Sequence, residues 1–274
     1  MLASLPMGLF PMLGFIVLGV AVGAFGTLIG AGGGFLLLPL LLFLYPHERP
    51  DVLTGISLAV VFANALSGSV AYARMRRIDL QAGLVFALAG VPGAVLGAMV
   101  TSRLDRRIFD PLLGISLIVG ATVIVARSRQ VASAFSSPGA RILIETDGTR
   151  HHYKPRIALG AALSVVVGFL SSLLGIGGGI LHVPVMVYLL GFPIHVATAT
   201  SHFVLAILAL AGVLTHLADG SLRSGMDRAL PLAGGVLVGA QVGAWLSSRV
   251  HGPWIMRGLA VALAAVGVRL LLAH

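Results

Sequence analysis

The 274-residue chain is 58% hydrophobic and only 10% charged, contains no cysteine and has a formal net charge of +9. Soluble domains carry about 25% charged residues, so a water-exposed fold is excluded, and a mean hydropathy of +1.03 places the chain in a bilayer. Without cysteine there are no disulfides, thiolate metal sites or thiol chemistry; basic residues clustered between apolar runs point to topology and anionic lipid, not nucleic acid.

In chain order, the start "MLASLPMGLFPMLGF" is apolar and lacks the basic residue that opens a cleavable signal peptide. It is expected to be a retained first membrane segment. Apolar runs long enough to span cover Leu9–Tyr45, Val52–Ala73, Leu80–Val100, Ile108–Ala126, Ile157–Leu190, Val196–Leu217, Ala229–Leu246 and Trp254–Leu272. A crossing needs about 20 residues. The first and fifth runs are too long for one straight helix and are each expected to hold a broken one. Counting each as a single net crossing gives eight spans. The side holding Arg74, Arg76, Arg77 and the 128–156 linker then has twice the basic residues of the other. The positive-inside rule puts that side and both termini in the cytoplasm. Ten spans with inverted halves keep the linker inside as well; eight is preferred. Within the linker, Asp147-Gly148 between alternating apolar residues is a hairpin signal, with a disordered linker as the alternative.

The second half repeats the first. At a shift of 145, Gly23, Gly30, Gly32, Gly33, Gly34 and Pro39 fall on Gly168, Gly175, Gly177, Gly178, Gly179 and Pro184. At a shift of 144, Thr54, Ser57 and Gly68 fall on Thr198, Ser201 and Gly212. At 146, Gly93, Gly97, Ser102 and Arg103 fall on Gly239, Gly243, Ser248 and Arg249. The expected architecture is an all-α integral membrane protein of two homologous halves, 1–127 and 157–274, about four spans each. Each half opens with a glycine-broken helix. Paired interruptions of this kind point to a transporter binding site.

The interruptions read "LIGAGGGFLLLP" from Leu28 to Pro39 and "LLGIGGGILHVP" from Leu173 to Pro184. Adjacent glycines make poor helix, each costing about 1 kcal/mol against alanine. Non-helical backbone persists at membrane depth only where it lines protein or water. After each glycine segment a helix-forming stretch resumes, so its amides and positive dipole end favour an anion. No lysine follows, which excludes a nucleotide P-loop. The pairs Gly19/Gly23, Gly26/Gly30, Gly93/Gly97 and Gly239/Gly243 suit close helix packing instead.

These repeated segments, the stretch "VATATSHFV" and the duplicated layout resemble the sulfite exporter TauE/SafE family, from about Gly19 to Leu272. The resemblance implies a bacterial inner-membrane permease for small sulfur-containing or organic anions such as sulfite, thiosulfate, sulfonates or sulfoacetate. It carries onto Gly30, Gly32, Gly33 and Gly34, onto Gly175, Gly177, Gly178 and Gly179, onto both prolines, and onto Thr198, Ser201 and His202. The first half departs from this by placing Leu58 opposite His202.

All nine acidic residues lie in loops or at span edges, so no carboxylate serves as a mid-membrane proton relay. The ionisable candidates within spans are His182 and His202, either of which binds an anion when protonated. His195 and His216 lie near span ends and are read as neutral histidines satisfied by a backbone carbonyl or interfacial water. Ser57 and Ser201 are stronger candidates than Asn64, Gln241, Thr54, Thr198, Ser171 and Ser172, which supply neutral hydrogen-bonding groups. Trp245 and Trp254 suit interfacial anchors. The leading expectation is a carrier of small anions working by alternating access, coupled to protons or to another ion. An anion channel is the alternative, and a cargo-free scaffold ranks last. No enzyme motif, metal site or cofactor is expected.

Overall fold

The computed structural model describes residues 9–127, 141–250 and 252–272. The first eight residues of the N-terminal segment, residues 128–140 of the linker and the side chain of Trp254 lie outside the described residues. The described helices are α1 (Leu9–Ile29), α2 (Gly34–Leu44), α3 (Pro50–Arg74), α4 (Leu80–Thr101), α5 (Arg106–Arg127), α6 (Ile157–Leu173), α7 (Gly179–Tyr188), α8 (Ile194–Ala218), α9 (Met226–Ser247) and α10 (Gly252–Leu272). Strands β1 (Arg141–Ile144) and β2 (Arg150–Tyr153) lie between α5 and α6, and a 3-10 turn at Ser221–Gly225 precedes α9.

Helix length follows from where the apolar runs are interrupted. With 21 residues, α1 reaches about 31 Å, the thickness of the hydrocarbon core. The 11 residues of α2 and 10 of α7 reach only about 16 Å and 15 Å, too short to cross alone. Among the described residues, α1, α3, α4, α8 and α9 with its leading turn are long and apolar enough to cross a membrane. Phe10, Val17, Leu88, Leu230 and Val261 are exposed on the outer surface, while Thr, Ser, Asn and His side chains are buried inside. This is an all-α membrane protein, apolar outside and selectively polar within.

Six helices pack in a row. α1 lies on α9, α9 on α3, α3 on α8, α8 on α4 and α4 on α6. The first helix of the chain thus packs chiefly on a helix from the far end of the sequence and less on its neighbours α2 and α3. α5 and α10 pair with each other, and they also touch α7 and α2 respectively. Small residues permit the closest contacts. A β-carbon at Gly23 would stand 2.8 Å from Val236 Cα, and one at Gly97 would stand 2.9 Å from the Leu173 amide. Gly235, Gly239 and Gly243, four apart along α9, meet the carbonyls of Ile16, Val20 and Ala24 in the same way. Van der Waals packing of this kind drives helix association where lipid removes the hydrophobic incentive.

β1 and β2 pair antiparallel from Arg141↔Tyr153 to Ile144↔Arg150. The turn between them closes through Glu145 N to Thr149 O at 2.9 Å, with Gly148 at φ 88. The Thr149 amide donates to the Asp147 carboxylate at 2.9 Å and holds its pKa below the usual range. The hairpin is docked on the α3–α4 connection. Arg141 bridges to Asp79 at 2.8 Å, and the Tyr153 hydroxyl donates to the same carboxylate at 2.9 Å. Burial first, and then the Asp79 charge, push the Tyr153 phenol above its ordinary range, so it remains a donor. Arg77 and His151 both bind the Glu145 carboxylate, the latter at 2.6 Å. Thr146 takes the carbonyls of Met75 and Arg74. Asp79 in turn caps α4 through the Ala82 amide and donates its own amide to Thr200 of α8 at 3.0 Å.

Two outcomes follow from these contacts. Gly239→Val should cost about 2 kcal/mol or more by overpacking the α1–α9 contact, whereas Gly234→Ala should be neutral or stabilising by up to about 1 kcal/mol, since nothing lies within 4 Å of an added β-carbon there. Melting in detergent distinguishes them. Burial alone would raise the Glu145 pKa, but His151 and Arg77 more than offset it and hold it low. Its stabilising contribution is therefore complete above the ordinary carboxylate range of about 4 and is lost as pH falls through the lowered value. Glu145→Gln should cost about 2 kcal/mol at neutral pH and flatten that acid limb of the Tm–pH profile.

Candidate functional site

The site is built where the two glycine segments meet. α1 ends in a Schellman cap: the Ala31 amide donates to the Gly26 carbonyl at 2.8 Å and the Gly30 amide to the Thr27 carbonyl at 3.0 Å. Gly30 sits at φ 81 and Gly32 at φ 76, left-handed positions that a β-carbon disfavours by about 1–2 kcal/mol. The chain then enters α2 at Gly34. In the second segment Gly175 and Gly177, at φ 60 and 66, turn the chain from α6 into α7. Gly178 differs from its match Gly33, being right-handed at φ −40 against φ 80.

The two segments touch. A β-carbon on Gly34 would stand 2.7 Å from the Ile176 carbonyl oxygen, and one on Gly179 would stand 2.7 Å from Ala31 Cα. Each segment is also held by the central helix that follows the other segment in sequence. Ser57 of α3 donates to the Gly175 carbonyl at 2.6 Å, and Ser201 of α8 reaches toward the Gly30 carbonyl at 3.5 Å. Thr54 of α3 packs on Gly175, and Thr198 of α8 on Gly30. Val61 of α3 and Leu205 of α8 press on both Gly32 and Gly177. The spacings 54, 57, 61 and 198, 201, 205 place each trio on one helix face.

Polar satisfaction is uneven. At its C-terminus α2 is capped by Arg106, which donates to the carbonyls of Leu42 and Tyr45 at 2.9 and 3.0 Å. Thr101 donates to the Leu173 carbonyl at the end of α6 at 2.7 Å. The N-termini of α2 and α7 have no side-chain cap. The amides of Gly33, Gly34 and Phe35, and those of Gly179 and Ile180, go to no backbone carbonyl. The Gly178 amide alone is taken, by Ser171 Oγ. Beside these ends the hydroxyls of Thr54 and Thr198, 0% and 1% exposed, have no hydrogen-bond partner. An unpaired buried hydroxyl costs about 1–3 kcal/mol. Two such hydroxyls stand at matched positions, on residues packed against the two glycine segments.

The structure thus gathers Gly30, Gly32, Gly33, Gly34, Gly175, Gly177, Gly178, Gly179, Ser57 and Ser201 into one cluster. His202 joins it through α1: its Nε2 lies 3.2 Å from Thr27 Oγ1, one turn before Gly30. His182, in the first turn of α7, points to Ser164 at 3.1 Å and packs on Phe86. His216 bonds Ser221 at 3.0 Å at the end of α8. Trp245 is exposed with the Arg249 guanidinium 3.9 Å from its ring. Among the described residues, no group of three or more His, Asp or Glu stands together to hold a metal ion. Sequence reasoning ranked Thr54 and Thr198 below the serines. Their recurrence at the same shift was a usable signal, but their lack of partners is visible only in three dimensions.

Comparisons with known proteins agree with this placement in a membrane. Residues 15–270 match the family described as "Sulfite exporter TauE/SafE". The chain is 32% identical over 264 residues to the "Probable membrane transporter protein YunE" of Bacillus subtilis, covering 93% of this chain and 96% of that protein. It is 30% identical to the "Probable membrane transporter protein MJ0441" of Methanocaldococcus jannaschii, over 76% of this chain and 73% of the relative. A "Probable membrane transporter protein" of Xylella fastidiosa is 26% identical over 73% of the chain and 70% of its own length. No solved structure matches the chain. With a family match covering nearly its whole length, the chain belongs to the sulfite exporter TauE/SafE family of membrane transporters.

Proposed function

We infer that this protein is a secondary permease for small sulfur-containing or organic anions, sulfite and sulfonates among them, working by alternating access around the two glycine segments. The observation that carries the reading is a pair of uncapped, buried helix N-termini, each bordered by an unpartnered threonine hydroxyl. Free amides, the positive ends of two helix dipoles and two hydroxyl donors all favour negative charge. The cargo completes their hydrogen bonds and needs no carboxylate or metal.

In this reading residues 1–127 and 157–274 are homologous membrane halves, and 128–156 is a linker on the cytoplasmic face of a bacterial inner membrane. Ser57 and Ser201 hold the two segments in register from the opposite half. Val61 and Leu205, packed against Gly32 and Gly177, close the space between the segments with apolar groups. That closure favours a carrier that opens on one side at a time over a channel with a standing pore. The protein changes no covalent bond in its cargo.

Proteoliposomes containing the purified protein test this. Labelled sulfite, thiosulfate, sulfate and methanesulfonate are offered in turn, and flux should saturate and show counterflow for at least one. The double variant Thr54→Val, Thr198→Val keeps side-chain shape and removes both donors. Each hydrogen bond to a charged ligand is worth about 1.5–3 kcal/mol, so flux should fall at least about tenfold, while Tm without anion should hold or rise because two unpaired buried hydroxyls are removed. Undiminished flux in that variant removes the anion site from this place in the fold.

A further inference from the structure

The sequence repeat pairs Thr27 with Ser172, Leu58 with His202, Asn64 with Leu208 and Gly68 with Gly212. The structure turns these pairs into two similar nooks. A β-carbon on Gly212 would meet Leu58 Cδ1 at 2.8 Å and Ser172 Oγ at 3.1 Å. A β-carbon on Gly68 would meet His202 Nε2 at 2.8 Å and Thr27 Cγ2 at 3.0 Å. One nook is built on fully buried Leu58 beside the Ser172 hydroxyl. The other is polar, built on His202 and Asn64 with no exposure at all. Since leucine fills the first, packing does not demand histidine in the second. A buried ionisable group inside a membrane protein marks a function rather than a fold requirement.

Hydrogen bonding assigns the proton. Thr27 gives its single hydroxyl proton to Asn64 Oδ1 at 3.1 Å. Its oxygen therefore accepts from His202 Nε2–H at 3.2 Å. The lone pair then sits on His202 Nδ1, which is buried without a partner, as is Asn64 Nδ2. The Gly30 carbonyl of the first glycine segment also faces the ring as an acceptor, but it carries no full negative charge. An imidazolium here would have no counter-charge from the protein. Of the helices around it, α1, α4 and α6 contain no titratable side chain. Tyr72 of α3 meets the ring edge-on at 5.8 Å. Also on α3, Asp51 and Arg74 stand at its two ends, Asp51 paired with Arg49. His182 of α7 is turned toward Ser164, and Tyr188 closes that helix. On α8 itself His195 and His216 lie at its two ends, and Arg223 belongs to the 3-10 turn beyond it. Asp227 and Arg228 open α9, where Arg228 pairs with Glu48. Asp79, at the start of α4, is bridged to Arg141.

We propose that His202 Nδ1 is a proton-binding site loaded together with the anion, so that proton and anion cross in the same direction. This rests on the anion-permease reading. Burying an unpaired imidazolium costs several kcal/mol, and the anion held at the neighbouring glycine segment supplies the missing negative charge. The proton comes from water on the side of entry and returns to water on the side of release, once the anion has left. A monovalent anion thus moves without net charge.

Methanesulfonate and thiosulfate are the probes; methanesulfonate stays fully ionised at working pH and carries no proton of its own. In proteoliposomes with the potential clamped at zero, wild-type methanesulfonate influx should acidify the lumen by about one proton per anion. Where protonation limits entry, influx should rise about tenfold per unit fall in external pH, because only the protonated fraction binds. His202→Leu installs the residue of the matched nook, and His202→Gln keeps a neutral hydrogen-bonding group should leucine fail to fold. In either variant the proton-to-anion ratio should drop toward zero. The methanesulfonate-induced rise in Tm, which in wild type grows as pH falls, should become independent of pH. Wild-type anion influx without acidification overturns the proposal and leaves the permease reading standing, as does a ratio near one in a folded variant. No flux of any offered anion in wild type overturns the permease reading, and the proposal falls with it.

Discussion

Backbone that leaves a helix inside a membrane has no water to bond, and each unmet amide or carbonyl costs several kcal/mol. The two glycine segments impose this cost twice, and the surrounding helices are arranged to meet most of it. The Gly175 carbonyl is taken by Ser57, the Leu173 carbonyl by Thr101 and the Thr27 carbonyl by Tyr72. Each donor comes from a helix remote in sequence from the group it serves. The breaks are therefore stable only in the assembled protein. Left open are the first amides of α2 and α7 and the two threonine hydroxyls beside them. At the glycine segments themselves the groups left over are able to donate, which gives the centre of the molecule its preference for negative charge.

That centre is kept in place by close backbone packing. The row α1–α9–α3–α8–α4–α6 interleaves early and late parts of the chain, and glycines let its outer pairs approach until carbonyls touch the facing helix. Such contacts are short-range and shape-dependent, so they resist sliding better than a greasy leucine interface would. The apolar outer face is left for lipid. Val61 and Leu205 contribute in a different way, as bulky groups wedged against the glycines that would clash with any larger residue there.

The hairpin extends the same framework to the membrane edge. Asp79 joins four partners: Arg141 and Tyr153 of the hairpin, the Ala82 amide that starts α4, and Thr200 of α8. Thr200 lies between Thr198 and His202 on the helix that borders the first glycine segment. Asp79 thereby links α8 to the hairpin through one carboxylate-bearing residue. The linker is for this reason part of the packed structure over residues 141–156, not merely a tether.

Membrane residence and the apolar runs were legible in the sequence, because hydropathy acts locally along the chain, and glycine spacing pointed to the places where α1 gives way to α2 and α6 to α7. Recurrence also singled out Ser57 and Ser201, and the departure of Leu58 from His202. What the sequence could not contain was partnership across distance: Thr54 lies 121 residues from Gly175, and Thr27 lies 175 residues from His202. Whether a hydroxyl is satisfied, which imidazole nitrogen holds the lone pair, and that α1 docks on α9 depend on three-dimensional packing. Residue type states what a group is able to bond; only the folded neighbours decide which of those bonds are made and which are left for a ligand.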